Sequence, residues 1–385
     1  MQRTNTDGHG QIIESEEVRE SPMQKVNMKE LFFALLRNAL WHSDEPLPKK
    51  LTAQRMAKLL WGVEQQTVGG LVIEALVRNK IEVPEDLYYE AIGMIYQIQQ
   101  SSQQVTDGLK AFARLMDEGG VHYVVVKGQA AASYYPNPIL REAGDIDYYC
   151  DEANMARSLR LLREKWNVEP MKAEADYQYE YHGVDFEGHF MLSRRYSKRW
   201  DSYWEQLLRE DPGTEVTVDG TRVKTLSPTL HTLYIFLHLY HHLLELGIGI
   251  RQFCDWAVML HACRTDIDQE ALRRHLKALG MERAYRACGW VLVECLGLPQ
   301  EEFTYKLKEG DRRYVERILR VVFYRGNMGK YNKRSGFSGW KHNVEATGIK
   351  VAHFLKFMPL APSFSCRWIA SELTRKFFLK LRQHS

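Results

Sequence analysis

The chain lacks the marks of several protein classes. Its six cysteines, Cys150, Cys254, Cys263, Cys288, Cys295 and Cys366, are scattered and form no CxxC pair. That spacing argues against a zinc ribbon or a disulfide framework and fits reduced thiols in a cytoplasm. No run of about 18 apolar residues occurs, so no membrane-spanning helix is expected. The start, Met1 to Pro22, is polar and acidic without an apolar stretch. No secretory signal is read there, and residues 1–24 are expected to form a disordered tail. There is no repeat of fixed period and no low-complexity tract. The net charge of +3 is too small to demand a nucleic-acid partner.

What is present is ordinary in bulk: 45% hydrophobic and 26% charged residues, as in a soluble globular protein. A chain of 385 residues buries one large core or two to three domains. The charge is unevenly spread. Residues 311–385 hold 16 Lys or Arg against 4 Asp or Glu, which leaves the rest of the chain net acidic. Phe337, Trp340, Phe377 and Phe378 are interleaved with this basic end. Basic and aromatic residues together offer nucleic acid or an anionic surface a place to bind, whereas a solvated helix face explains the same charges.

The hydrophobic period changes twice along the chain. From about Val26 to Glu118 apolar residues recur at helical spacing, punctuated by Pro46, Pro48 and Pro84. Tyr88 to Leu115 reads as one long helix or two short ones. After the Gly119-Gly120 stop, Val121 to Val126 reads as a buried strand. A small-residue helix follows from Gln129 to Tyr135, then a strand over Ile146 to Cys150 and an amphipathic helix over Asn154 to Trp166. Tyr177 to Leu192 contains further strands. Helices return over Pro228–Leu246, Arg251–Ala262, Gln269–Leu279, Glu282–Leu296 and Arg312–Tyr324. A loop rich in Gly, Asn, Lys and Ser at Gly326–Gly339 precedes terminal helices. The expected order is a helical region at 25–118, an α/β core at 119–225, a helical region at 226–325, and a basic loop with terminal helices at 326–385. This is an α+β fold: a small mixed sheet flanked by helical regions.

The strongest chemical signal is Gly144-Asp145-Ile146-Asp147-Tyr148-Tyr149. Strand alternation puts Asp145 and Asp147 on one face, about 7 Å apart along the chain. Converging to about 4 Å at an intermediate dielectric, the two charges would repel by on the order of 4 kcal/mol. A cation relieves that repulsion, and Mg²⁺ suits one or two carboxylates completed by water and phosphate oxygens. A second acidic segment, Val184-Asp185-Phe186-Glu187-Gly188-His189, puts Asp185, Glu187 and His189 on one face. A strand paired beside the first brings Glu187 or Asp185 to the same metal site. Upstream, Lys127-Gly128 stands between a strand and a helix. There a helix N-terminus and a lysine charge favour phosphate, and Gly128 lets the backbone approach closely.

The order of these pieces, VVVKGQAAASYYPNPILREAGDIDYY, resembles an uncharacterised nucleotidyltransferase-like family of bacteria with an lKG…YP…R…DiDl core. That family is a distant branch of the polymerase-β-type superfold. The resemblance implies that Gly128 marks the turn before the acidic strand and that Asp145 and Asp147 are the metal pair. The family's later hydrophobic–acid–x–His segment falls on Phe186-Glu187-Gly188-His189. Glu187 is then the favoured third acid and Asp185 the alternative. Where the superfold usually has Gly-Ser or Gly-Gly at the turn, this chain has Lys-Gly, and Lys127 would replace the missing hydroxyl. Matching motifs cover about residues 121–262, reaching His238, His241, His242, Arg251-Gln252 and Asp255-Trp256.

The remaining candidates have two readings each. Arg141 would clamp a triphosphate or pair with Glu142 or Asp145. His238 and His242, one helical turn apart with His231 seven residues before His238, have a spacing that can bind metal, but without an HExxH or similar acid pattern they read rather as core or pocket-lining histidines. Arg251 and Asp255 form a helical ion pair or line the nucleotide cleft beside His189. The resemblance implies a transferase using Mg²⁺ or Mn²⁺ to move a nucleotidyl group from an NTP such as ATP to an unidentified acceptor. The rivals are a non-catalytic binding or regulatory protein on the same fold and a toxin–antitoxin component.

Overall fold

The computed structural model describes residues 27–173, 175–192, 198–245, 247–326, 351 and 353–367. The expected tail at 1–24 lies outside the described residues, as does most of the basic end. The chain opens with α1 (Met28–Trp41), α2 (Ala53–Gln66), α3 (Gly69–Arg78) and α4 (Glu85–Glu118). Asn27 caps α1, accepting from the Lys29 N–H at 2.9 Å while Glu30 reaches back to the Asn27 N–H, so two otherwise orphaned donors are satisfied. The Thr52 hydroxyl caps α2. The stretch read as one helix or two is a single helix of 34 residues, α4.

The chain continues through β1 (Val124–Val125), α5 (Gln129–Ala132), β2 (Ile146–Tyr149), α6 (Glu152–Leu161), β3 (Met171–Lys172), β4 (Asp176–Tyr181), β5 (Val184–His189), α7 (Lys198–Glu210), β6 (Thr214–Val218) and β7 (Thr221–Thr225). It then runs through α8 (Pro228–Glu245), α9 (Ile250–Ala262), α10 (Gln269–Leu279), α11 (Glu282–Glu294), α12 (Glu309–Arg312) and α13 (Val315–Arg325). The seven strands form one sheet in the order β3-β4-β5-β2-β1-β7-β6. β2 pairs parallel with β5 and β1 pairs parallel with β7, while the other pairings are antiparallel. The fold is α+β with a mixed sheet. No helix among the described residues is long and apolar enough to cross a membrane.

Several elements differ from the sequence reading. The strand expected over Val121–Val126 is paired only at Val124–Val125, and the helix expected to reach Tyr135 is helical only through Ala132. The helix expected over Arg312–Tyr324 begins three residues later, as α13, and the short α12 precedes it. α7 and the β6–β7 hairpin were not expected. The hairpin turns at Asp219-Gly220, both at positive φ, the conformation that Asp-Gly supplies readily.

The sheet is apolar on one face. Ile146, Tyr148, Tyr179, Val184, Phe186 and Val223 pack with Leu109, Phe112 and Met116 of α4 and with Met155 and Leu159 of α6. Phe112 is fully buried, with its ring 4.4 Å from that of Tyr148 and 5.8 Å from that of Phe186. The helical regions before and after the sheet are not separate bodies: residues of α1–α3 share one hydrophobic cluster with α8–α11 and α13. The other face of the sheet, toward α8 and α9, carries the polar residues of β2 and β5. Replacing Phe112 with Ala should therefore cost about 3–5 kcal/mol, measured as the change in urea unfolding free energy. A loss below about 1 kcal/mol would mean that α4 does not anchor the sheet.

Candidate active site

β2 and β5 run side by side with Ile146 opposite Phe186 and Asp147 opposite Glu187. Because side chains alternate, the register that sends Ile146, Tyr148 and Phe186 into the core sends Asp147, Glu187 and His189 to the opposite face. One ligand atom from each of these three lies within 4.8 Å of the others. Asp147 Oδ1 is 2.8 Å from Lys127 Nζ and 2.9 Å from His189 Nε2, and His189 Nε2 is 3.7 Å from a Glu187 oxygen. Asp145 stands just before β2 and lines the same cavity of about 760 Å³. Asp185 is exposed near the start of β5 and is not among the cavity-lining residues.

The local electrostatics follow from burial and crowding. Burial alone would push the Asp147 carboxyl up, but Lys127 and His189 more than offset it and hold it down at about 2. Asp145 is pushed up, chiefly by the Asp147 charge and then by burial. Burial and the two aspartates push Glu187 up to about 7. The cavity thus carries more negative charge than Lys127 alone neutralises. Two carboxylates and an imidazole converging on one point, with Asp145 beside them, form a donor set that fits a divalent cation.

Gly128 follows Lys127 at φ 60°, ψ −122°, a conformation essentially reserved for glycine. A Cβ there would stand 3.2 Å from the Asp145 carbonyl, so the turn packs directly against the acidic loop. Opposite the acids, α8 presents Tyr234, His238, His241 and His242. Lys127 Nζ is 3.5 Å from His238 Nε2, which is 2.9 Å from His242 Nε2. Burial, and then Lys127, hold His238 well below the usual histidine range, so it is neutral at pH 7. At one end of the cavity stand Trp200 and Trp204 of α7 and Phe364, with Trp204 stacked on Tyr234 at 6.2 Å. These aromatics were missed from sequence. Tyr234 lies one helical turn before His238, and Trp200 and Trp204 have the same spacing, which were the available signals.

Two expected roles change. Arg141 is buried and makes a bidentate pair with Asp255, Nε to Oδ1 at 2.7 Å and Nη2 to Oδ2 at 2.9 Å, while the Tyr135 hydroxyl donates to the same Oδ1 at 2.7 Å. The expected Arg251–Asp255 helical pair does not form, because Arg141 takes the carboxylate. Arg251 instead donates from Nη1 to the Glu142 carbonyl at 2.7 Å, and its buried Nε has no hydrogen-bond partner among the described residues. Arg251 lines the cavity, and its pKa is depressed by burial and then by Arg141.

Two tests follow. With divalent cations chelated, Glu187 holds its proton up to about pH 7, whereas a free glutamate loses it near 4.5. The folded state therefore binds more protons in that window. Glu187's contribution to stability is complete below about pH 4.5 and is lost as pH rises through about 7. Glu187→Gln should gain on the parent protein in urea midpoint as pH rises from about 5 to 8, and parallel pH profiles would refute the shift. Asp255→Ala should cost about 3–5 kcal/mol by stranding the Arg141 charge. The double change Arg141→Met, Asp255→Leu should cost less than Asp255→Ala alone.

No curated protein matches the chain. Among solved structures, it is similar to an antigenic nucleotidyltransferase-like protein from Paracoccidioides brasiliensis at 17% identity and a TM-score of 0.34, over 53% of this chain and 99% of that one. Residues 52–297 match the model of a family described as uncharacterised nucleotidyltransferase. That stretch runs from the start of α2 to just past α11 and takes in the whole sheet, the Lys127-Gly128 turn and the acids, and the chain belongs to this nucleotidyltransferase family.

Proposed function

We propose that the cavity transfers a nucleotidyl group from a nucleoside triphosphate to a hydroxyl or phosphate acceptor, with the help of Mg²⁺ or Mn²⁺. The observation that carries this reading is the β2–β5 register, which sets Asp147 against Glu187 on the cavity face. Family membership supports the reaction class. Asp147 and Glu187 would hold the ion with Asp145 beside them. When bound, the ion would activate the acceptor oxygen and neutralise charge on the leaving pyrophosphate.

The chain's own groups do the rest. Lys127 brings a full positive charge to the edge of the acids; burial opposes that charge, but Asp147, Tyr234 and Asp145 together outweigh it and keep the lysine protonated. Gly128 supplies the backbone conformation that sets this lysine beside the acidic loop. Arg251, which forms no close ion pair with a carboxylate among the described residues, suits a phosphate oxygen better than Arg141 does, because Arg141 would first have to leave Asp255. Arg141 then acts by holding the loop that carries Asp145. Asp185, exposed and away from the cavity, is left aside as a metal ligand.

One observation favours a second reading. The Lys127 ammonium already sits on the Asp147 oxygen that a metal would use, which is also how a binding protein without turnover would balance its charge. Labelled NTPs with Mg²⁺ or Mn²⁺, and a cell extract as acceptor source, separate the two. The transferase reading expects release of labelled pyrophosphate from γ-labelled NTP and transfer of α-label. Asp147→Asn should lower both by at least about a hundredfold. Tight NTP binding without turnover would favour the binding protein, and label on a single extract protein would identify the acceptor class.

A further inference from the structure

We propose that His189 is a direct nitrogen ligand of the divalent ion, so that the site takes Mn²⁺ or another first-row transition ion in preference to Mg²⁺. This rests on the metal-dependent reading above and goes beyond it, since a pair of aspartates alone would favour Mg²⁺. The donor set that converges is Asp147, Glu187 and His189, with one atom of each within 4.8 Å of the others. Asp145 lines the cavity without joining that group. The set is therefore two carboxylates and one imidazole.

The distances approach those of neighbouring donors around one ion, one matching and one somewhat wider. With bonds of about 2.1 Å, adjacent donors of an octahedral ion lie about 3 Å apart. His189 Nε2 is 2.9 Å from Asp147 Oδ1 and 3.7 Å from a Glu187 oxygen. A hydrogen bond from Nε2 to Asp147 accounts for the first separation and not for the second. That hydrogen bond is also not needed to neutralise Asp147, because the Lys127 ammonium stands on the same oxygen at 2.8 Å.

The backbone holds the ring in place. His189 is the last residue of β5, paired with Tyr149 of β2, and its carbonyl accepts the Cys150 N–H at 3.1 Å. Its side chain is only 13% exposed. It shares its strand face with Glu187, two residues earlier, so one strand supplies both an oxygen and a nitrogen to the same point. Imidazole nitrogen suits transition ions, whereas Mg²⁺ favours oxygen and retains its waters.

The test is pulsed electron paramagnetic resonance on the full chain with one equivalent of Mn²⁺ and no nucleotide. The expected result is nitrogen modulation of the Mn²⁺ echo, altered when the protein's histidines carry ¹⁵N. His189→Gln should abolish it while still binding Mn²⁺, at least about tenfold more weakly. The same variant should lose most of the preference for Mn²⁺ over Mg²⁺ in competition titrations. Bound Mn²⁺ without nitrogen modulation would overturn the proposal and reduce His189 to a hydrogen-bond partner of Asp147, leaving the metal-dependent reading intact. Modulation that survives in His189→Gln would overturn it in favour of another cavity histidine, such as His238, His241 or His242. If the intact protein binds Mn²⁺ neither alone nor together with a non-hydrolysable nucleoside triphosphate, the metal-dependent reading falls, and this proposal with it.

Discussion

The structure turns on one buried carboxylate. Asp147 is 1% exposed in the middle of a seven-stranded sheet, and an unpaired charge there would be prohibitively costly. The compensating cation comes from the turn after β1, where Lys127 reaches Oδ1, and the imidazole comes from β5. Two different forces then demand the same strand register. Sliding β5 by one residue against β2 would bring Phe186 out of the core and turn Glu187 and His189 into it. Hydrophobic burial on one face and charge balance on the other are satisfied only together.

The same economy explains why the sheet is wrapped by helices from both ends of the chain. The loop that leads into Asp145 has little secondary structure of its own, and helices far away in sequence hold it. Ser102 of α4 donates to the Arg141 carbonyl, and the Glu142 carboxylate accepts the Gly69 N–H at the start of α3. From the other side α9 contributes Asp255, which grips Arg141, and Arg251, which grips the Glu142 carbonyl. α3 approaches so closely at Gly70 that a Cβ would collide with the Leu140 carbonyl oxygen. The shared core of the outer helices is therefore what sets the acidic loop, and packing reaches function through these hydrogen bonds.

Local periodicity made much of this legible in the sequence. Alternation in IDYY and VDFEGH identified the acidic faces, and the helical period identified α8 with its histidines. Pairing was not legible. Asp185 and Glu187 share a face by alternation alone, and only the register against β2 distinguishes them. The Arg141–Asp255 pair joins residues 114 positions apart. A pattern that looks one turn ahead sees Arg251 instead, four residues from Asp255. The β6–β7 hairpin had a readable signal in Asp219-Gly220 between alternating segments and was passed over. The short β1 shows the converse: a run of valines signals burial, but how many of them join the ladder depends on the neighbouring strands.

The pairing of Lys127 with Asp147 also bears on how ligands would reach the cavity. On the proposed reading, a divalent ion and the Lys127 ammonium compete for the same Asp147 oxygen, now held at 2.8 Å from Lys127 Nζ. An ion bound alone would displace the ammonium, whose other near neighbour, His238, is buried and neutral and already stands next to His242. Leaving a full charge among imidazoles in a partly buried pocket is unfavourable. A triphosphate arriving with the ion changes that balance, because its oxygens give the displaced ammonium an anionic partner. It gives one to Arg251 as well. Metal and nucleotide should then bind with positive coupling, each raising the affinity for the other by the same factor. The lysine paired with Asp147 would make the site admit its two charged ligands together.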